Sequence, residues 1–164
     1  MLKIFSKSPP PRFLFAHPAH LVACGFGSGL SPLAPGSAGS LFALLSFPLL
    51  RSSMGEAEFF AFLLVCFAAG IPAVQKTARD YGKNDPGCVV WDEIVPFWFV
   101  LAFCPSDWLW RGAAFLLFRF FDIFKPQPAR FFDEKVKNGF GIMADDLVAA
   151  LYTLLVLSIF RLFQ

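Results

Sequence analysis

The polar stretch FRFFDIFKPQPARFFDEKVKNGFGIMADD, residues 118–146, lies between two long apolar runs and decides how this chain folds. It holds five carboxylates and five cations. Because Pro126 disfavours helix at the residue before it, the first apolar helix should end there and leave Asp122 near its end. Asp145 and Asp146 open the next apolar segment. Clustered carboxylates suit a divalent cation and fixed cations suit a phosphate, so this stretch predicts a polar site between two apolar helices.

The composition indicates a membrane protein. Of the 164 residues, 57% are hydrophobic and 23 are Phe, which is more than a soluble chain of this length can bury. The net charge of +2 is too small to predict a nucleic-acid partner, and no basic stripe is interleaved with aromatic residues. Residues 1–12 are expected to form a basic flexible tail without a cleavable signal, and residues 13–164 a single helical membrane domain. The four cysteines form no C-x-x-C pair, and we expect them to be small buried hydrophobic residues.

Five apolar segments predict an all-α fold, a polytopic membrane helical bundle of about four to five short membrane helices. They comprise residues 38–50, 57–74, 88–104, 109–124 and 147–163. With a cytoplasmic N-terminus and five crossings, ten cations lie on the cytoplasmic side, and three lie on the other side, namely Arg51, Arg111 and Arg161. This distribution satisfies the positive-inside rule. The same topology places nine of the 12 acidic residues on the cytoplasmic side, so the polar elements should converge on one membrane face.

Residues 13–24 predict an N-terminal interfacial helix. This apolar piece contains Pro18 and is too short to span a bilayer. Its His17 and His20 have no carboxylate or cysteine at ligand spacing. We therefore expect interfacial or hydrogen-bonded histidines rather than metal ligands.

The Gly- and Ser-rich residues 25–40 are not expected to form regular helix. Backbone N–H groups near Ser28 and Gly29 are candidates for binding a phosphate, with the positive end of the following helix behind them. The alternatives are a re-entrant turn, or small residues that allow helices to pack closely. The stretch lacks the G-K-[ST] ending of a Walker loop.

Asp92 and Glu93 lie about one turn inside an apolar segment, in the sequence VVWDEIVPFW. An ionisable group within a membrane segment costs several kcal/mol unless it is paired or hydrated, which favours a functional role. The alternative is a structural ion pair with Arg119 or Lys125. Because adjacent helix positions point about 100° apart, we do not expect both carboxylates to bind one metal ion directly.

The other charged residues of interest flank the loop of residues 118–146. Asp122 lies at a helix end, and Lys125 and Arg130 are presented just beyond it. These residues can be interpreted in two ways. Asp122 is a metal ligand beside two phosphate-binding cations, or the three residues form an ordinary salt-bridged helix end. Asp145 and Asp146 either cap the following helix or bind a cation that relieves their mutual repulsion, and we favour the metal.

Four blocks make the chain resemble the phosphatidylglycerophosphatase A family: GFGSGLSPLAPGSAGSL, TARDYGKNDPGCVVWDE, FRFFDIFKPQPARFFD and GFGIMADDLVA, within residues 25–149. The resemblance implies an all-helical enzyme of the bacterial inner membrane with its active site facing the cytoplasm. It implies magnesium-dependent hydrolysis of phosphatidylglycerol phosphate, a lipid of the bilayer, to phosphatidylglycerol in phospholipid biosynthesis. The family's acidic motifs fall on Asp92, Glu93, Asp122, Asp145 and Asp146, and its basic positions fall on Lys125 and Arg130.

These residues predict a metal-assisted phosphatase. Mg²⁺ would be held by some of the five carboxylates, and Lys125 and Arg130, with backbone N–H groups near Ser28 and Gly29, would bind the phosphate. One carboxylate would orient or deprotonate the attacking water. A lipid-headgroup transferase also uses clustered Asp and magnesium, but its D-G-x-x-A-R pattern is absent. An ion transporter or membrane scaffold is the other alternative, although transporters usually place ionisable residues at the membrane midplane.

Overall fold

The computed structural model describes residues 9–163, and every regular element in that range is helical. The elements are α1 (Arg12–Phe15), α2 (Pro18–Ala23), a 3₁₀ segment (Gly25–Leu30), α3 (Pro35–Ser53), α4 (Glu56–Tyr81), α5 (Trp91–Phe103), α6 (Trp108–Phe124), α7 (Ala129–Lys135) and α8 (Gly139–Leu162). This confirms the predicted all-α fold. Most of the predicted basic tail, residues 1–8, lies outside the described range.

The five predicted apolar segments correspond to α3, α4, α5, α6 and α8. Of the described helices, α4 with 26 residues and α8 with 24 residues are long and apolar enough to cross a membrane. At 13 residues, α5 is much shorter than the roughly 20 residues of a full span. The number of crossings therefore stays a prediction.

Helix α5 is apolar because it is the centre of the bundle. It packs against α3, α4, α6 and α8, and ten of its 13 residues are buried. Phe97 stacks on Phe118 of α6 with ring centroids 5.1 Å apart. The indole Nε1 of Trp98 donates a hydrogen bond to the Ala43 carbonyl of α3 at 3.1 Å. A helix that is surrounded by other helices needs apolar side chains on every face, which explains its composition.

The outer helices expose apolar faces. On α3, Leu41, Leu45 and Leu49 are 47%, 64% and 71% exposed, and they recur every four residues on one side of the helix. On α8 the same spacing exposes Leu151, Leu155 and Ile159. Such continuous apolar surfaces are unfavourable in water and suit contact with lipid chains, as expected for a helical membrane protein.

The start of α8 packs directly against the last part of α4. The Gly139 amide donates a hydrogen bond to Gln75 Oε1 at 2.6 Å, and a Cβ on Gly139 would lie only 2.2 Å from the Ile71 carbonyl oxygen. Asn138 caps α8, because its side-chain oxygen accepts a hydrogen bond from the Gly141 amide at 3.0 Å. The polar ends of the two longest apolar helices therefore lie side by side.

The N-terminal interfacial helix predicted over residues 13–24 is divided into α1 and α2, since Pro18 begins a new helix. His17 caps α2 by accepting the Ala19 amide hydrogen at 3.0 Å. His20 is buried and makes two hydrogen-bond contacts, from Nδ1 to the Phe13 carbonyl oxygen at 3.0 Å and from Nε2 to an Asp80 carboxylate oxygen at 2.8 Å. These contacts confirm hydrogen-bonded histidines.

The prediction that residues 25–40 contain no regular helix is wrong for the last six of them. Pro35 occupies the first turn of α3, where its missing N–H costs nothing, and the small residues that follow continue as helix. Gly25–Leu30 is a tightly wound 3₁₀ segment, and residues 31–34 are irregular. The backbone has a positive φ at Phe26 and at Ala34. The small residues serve close helix packing, as the alternative interpretation expected.

Candidate active site

The first turn of α5 supplies two of the predicted carboxylates. The turn is fixed at its start, because the Val90 amide donates a hydrogen bond to the Ala23 carbonyl oxygen at 2.9 Å. Asp92 and Glu93 are both buried, and both line a cavity of about 540 Å³. Helix α3 approaches so closely that a Cβ on Gly36 would lie 2.0 Å from Glu93 Oε1. Glycine at this position therefore makes room for the Glu93 carboxylate.

Helix α6 brings one cation and one carboxylate to Glu93. The guanidinium Nη1 of Arg119 lies 3.0 Å from Glu93 Oε1 and 2.8 Å from Asp122 Oδ2. Arg119 and Asp122 are three residues apart on α6 and so share a helix face. All three side chains are 15% exposed or less. One partly buried guanidinium thus balances carboxylates from two helices.

Helix α8 supplies Asp145 and Asp146, which are both buried. Asp145 is already bonded through both oxygens: Oδ2 pairs with Lys125 Nζ, and Oδ1 accepts the Asp146 amide hydrogen at 2.9 Å. Asp146 Oδ1 is buried and has no hydrogen-bond partner among the described residues. A buried carboxylate oxygen without a hydrogen-bond donor is energetically costly. Asp146 is therefore suited to bind a group that is not part of the protein, such as a cation.

Three carboxylates converge closely enough to share one cation. Glu93, Asp122 and Asp146 each place a ligand oxygen within 4.8 Å of the others. They come from three helices, α5, α6 and α8. Oxygen-only donors that line a cavity fit a hard divalent ion such as Mg²⁺. Asp92 is not in this set, and the expectation that adjacent Asp92 and Glu93 do not both bind one ion directly stays a prediction.

Lys125 is a second fixed positive charge. It ends α6 with a left-handed backbone, φ +42°, and its ammonium contacts Asp145 and, at 3.1 Å, Asp133 Oδ1. Burial alone would lower the pKa of Lys125, but the carboxylates of Asp146 and Asp145 outweigh it and raise that pKa well above its usual range. Lys125 therefore stays protonated and places a fixed positive charge at the cavity.

The other predicted cation, Arg130, lies at the rim of the cavity. Its side chain is 63% exposed, and its Nε donates to Glu134 Oε1 at 2.7 Å. Asp85, in the loop between α4 and α5, lines the cavity. Asp80 does not line it, but pairs with His20 and Lys76. Arg130 is therefore a solvated surface charge, whereas Lys125 is only 25% exposed.

The structure does not bring Ser28 and Gly29 into this cavity. Ser28 Oγ donates to the Gly25 carbonyl oxygen at 2.8 Å, and the Gly29 amide donates to the Cys24 carbonyl oxygen at 3.1 Å. A Cβ on Gly29 would lie 2.1 Å from the Cys88 carbonyl oxygen, so this glycine serves backbone packing. The first residues of α3, from Pro35 to Ser37, line the cavity in their place.

Arg119 is the site residue that the sequence indicated only as an ion-pair partner. The ion pair with Glu93 is observed, and the same guanidinium also contacts Asp122. Its signal in the sequence was a cation inside an apolar segment, three residues before a carboxylate. Together with Lys125 it gives the acidic cluster two partly buried cations, an arrangement able to hold a phosphate beside a divalent metal ion.

Comparison with known proteins places this site in a family. Residues 21–161 match the family model of phosphatidylglycerophosphatase A. The chain is 49% identical to the Haemophilus influenzae protein of that name over 150 aligned residues. This alignment covers 91% of this chain and 92% of the relative. The corresponding Escherichia coli protein is 42% identical over 139 residues, 84% of this chain and 80% of the relative. A Bacteroides thetaiotaomicron protein, described as a candidate phosphatidylinositol-3-phosphatase, is 40% identical over 148 residues, 86% of this chain and 92% of the relative. No solved structure matches the chain significantly.

Proposed function

Because this chain belongs to the phosphatidylglycerophosphatase A family, a family of phosphoric monoester hydrolases, we propose that it hydrolyses phosphatidylglycerol phosphate to phosphatidylglycerol and phosphate in phospholipid biosynthesis. The observation that carries this proposal is the convergence of Glu93, Asp122 and Asp146 within 4.8 Å of one another beside two partly buried cations, Arg119 and Lys125. A metal ion and fixed positive charges both promote the hydrolysis of a phosphomonoester. This cavity offers carboxylate ligands for a metal ion and supplies the positive charges of Arg119 and Lys125.

We propose that the metal ion is Mg²⁺, held by Glu93, Asp122 and Asp146. The partnerless Asp146 oxygen and the all-oxygen donor set support this assignment. When bound, the ion supplies positive charge that polarises a phosphoryl oxygen and lowers the pKa of a nearby water. The oxygens of Asp145 are bonded to Lys125 and to the Asp146 amide. We propose that Asp145 orients the Lys125 ammonium and the metal ligand Asp146, and that it does not act on the substrate itself.

The remaining steps belong to side chains around the cavity. Lys125 binds the non-bridging oxygens of the phosphomonoester, and Arg130 joins it by leaving Glu134. Asp92, which lines the cavity outside the three-carboxylate set, accepts a proton as the water oxygen bonds to phosphorus. The bond from phosphorus to the glycerol oxygen breaks, and that oxygen takes up a proton from solvent to become the hydroxyl of phosphatidylglycerol, while Asp92 returns its proton to solvent.

We propose a multi-pass location in the bacterial inner membrane with the cavity facing the cytoplasm. The ten-to-three distribution of cations supports this orientation. The exposed leucine faces of α3 and α8 support contact with lipid chains. The acyl chains of the substrate would then remain in the bilayer while its headgroup enters the cavity.

The test is phosphate release from phosphatidylglycerol phosphate by the purified protein in a neutral detergent, with magnesium and after chelation. Magnesium-dependent release supports the proposal, and a protein that releases none refutes it. Phosphatidylinositol 3-phosphate is the comparison substrate, because the Bacteroides relative is described by that activity. A headgroup transferase would instead release a nucleotide from a lipid nucleotide substrate, and an ion transporter would carry ions across liposomes without releasing phosphate.

A further inference from the structure

A second groove of about 240 Å³ opens beside the acidic cavity. Asn84 and Lys137 line both spaces, so the groove and the cavity are neighbours. The groove is otherwise formed by the last turns of α4 and the residues after it, including Arg79 and Lys83. The mechanism proposed above uses none of these four residues.

The groove differs from the cavity in the sign of its charge. Of the described residues that line it, three are cations, Arg79, Lys83 and Lys137, and none is a carboxylate. Within residues 9–163, Arg79 and Lys83 make no ion pair, whereas Lys76 and Arg130 are each paired with a nearby carboxylate. The Lys83 ammonium lies 5.7 Å from the centroid of the Tyr81 ring. Two exposed cations without a counter-charge in the described range make this groove attractive to an anion.

The groove also lies where a lipid headgroup would be. Arg79 is in the last turn of α4, a helix long enough to span a membrane, and Lys137 lies two residues before α8, the other such helix among the described elements. The hydrogen bond from the Gly139 amide to Gln75 holds these two helix ends together. Cations at the ends of membrane helices lie at the level of lipid phosphates and attract them.

We propose that this basic groove binds the phosphodiester of the substrate lipid while the acidic cavity holds its terminal phosphomonoester. The inference rests on the proposed function, since phosphatidylglycerol phosphate carries these two phosphates on either side of one glycerol. The carboxylates of the cavity repel a second anion, and the adjoining cations accept it. The groove thereby selects lipids with an internal phosphodiester over lipids that carry only a phosphomonoester.

The double variant Arg79→Gln/Lys83→Gln tests this assignment against Arg12→Gln/Lys135→Gln. The control removes two exposed cations that line neither space. In neutral detergent without other phospholipid, we expect the groove variant to raise KM for phosphatidylglycerol phosphate by about three- to tenfold with little change in kcat. The control should leave KM within about twofold. Equal effects of the two variants would show general charge attraction and overturn the proposal.

Two further measurements separate the source of the bound anion from the catalytic function. Phosphatidylglycerol keeps the phosphodiester, so its binding to the protein in neutral detergent should weaken about three- to tenfold in the groove variant, even if no substrate is turned over. Phosphatidic acid carries only a phosphomonoester, and its binding should be the same in both proteins. An effect that appears only after anionic phospholipid is added to the micelles would assign the groove to a neighbouring lipid and overturn the proposal. Absence of phosphate release by the unaltered protein refutes the proposed function but leaves this binding comparison intact.

Discussion

Arg119 of α6 lies 3.0 Å from Glu93 of α5, and this ion pair joins the two helices inside the acidic cluster. The same guanidinium reaches Asp122 at 2.8 Å, so removing it would leave the buried Glu93 and the largely buried Asp122 without their cation. Breaking a buried pair from one side costs about 3–5 kcal/mol. The cluster therefore depends on Arg119 for stability as well as for geometry.

We expect Arg119→Gln to lower the free energy of unfolding by roughly 3 kcal/mol and to abolish phosphate release. Arg119→Lys keeps the charge but not the forked geometry, so it should recover much of the stability and little of the activity. Thermal unfolding in detergent and steady-state phosphate release measure the two effects. The matched control is Arg111→Gln on the same helix, where the guanidinium stacks near the Phe47 and Trp108 rings away from the cavity. Equal activity losses at positions 111 and 119 would contradict a specific role for Arg119.

Asp122→Asn should reduce hydrolysis by at least about 100-fold while the protein still inserts into the membrane normally. The substitution keeps the shape of the side chain but removes one of the three converging carboxylates. Asp107→Asn is the control. Asp107 directly precedes the first residue of α6, at the other end of the helix from Asp122, and makes no side-chain cap hydrogen bond. Phosphate release and membrane fractionation of both variants give the readouts. Full turnover by the Asp122→Asn variant would remove this residue from the site.

Magnesium should stabilise the protein as well as activate it. An ion that binds only the folded state adds about 2.7 kcal/mol when its concentration is about 100 times its dissociation constant. The unfolding temperature should therefore rise with added Mg²⁺ and fall on chelation. Asp146→Asn should lose this response, since it removes a ligand with a partnerless buried oxygen. Glu56→Gln, in the first turn of α4, should keep it. The same magnesium response in both variants would exclude Asp146 as a ligand.

Gly36→Ala should impair the site through a single methyl group. A Cβ at this position would lie 2.0 Å from Glu93 Oε1, so the carboxylate must shift from the position in which it converges with Asp122 and Asp146. We expect phosphate release to fall by about tenfold or more, since small displacements of a catalytic group are costly. Gly112→Ala is the matched control, because a Cβ on Gly112 has open space within 4 Å and alanine favours helix. Activity of Gly36→Ala equal to that of Gly112→Ala would argue against a tight fit around Glu93.

The sequence reveals the helices and the acidic residues of the site more readily than the contacts between them. The Arg119 and Asp122 pairing follows from a local spacing of three residues, and the all-α fold follows from the apolar segments. The approach of Asp146 to Glu93 depends on how α8 and α5 pack, which no local pattern encodes. The same limit explains Ser28: a glycine-rich stretch indicates close backbone approach, but not whether the approaching group is a phosphate or another carbonyl.

The hydrogen bond between Gln75 and Gly139 bears on which lipid molecules the proposed site would reach. Because it holds the ends of α4 and α8 at one level, we expect the cavity to serve a single leaflet, so that a substrate molecule would arrive by diffusing within that leaflet. Lipid in the opposite leaflet would then stay out of reach until it flipped. In sealed vesicles with the protein inserted in one orientation, hydrolysis should therefore stop once the accessible leaflet is consumed, and a lipid scramblase should restart it.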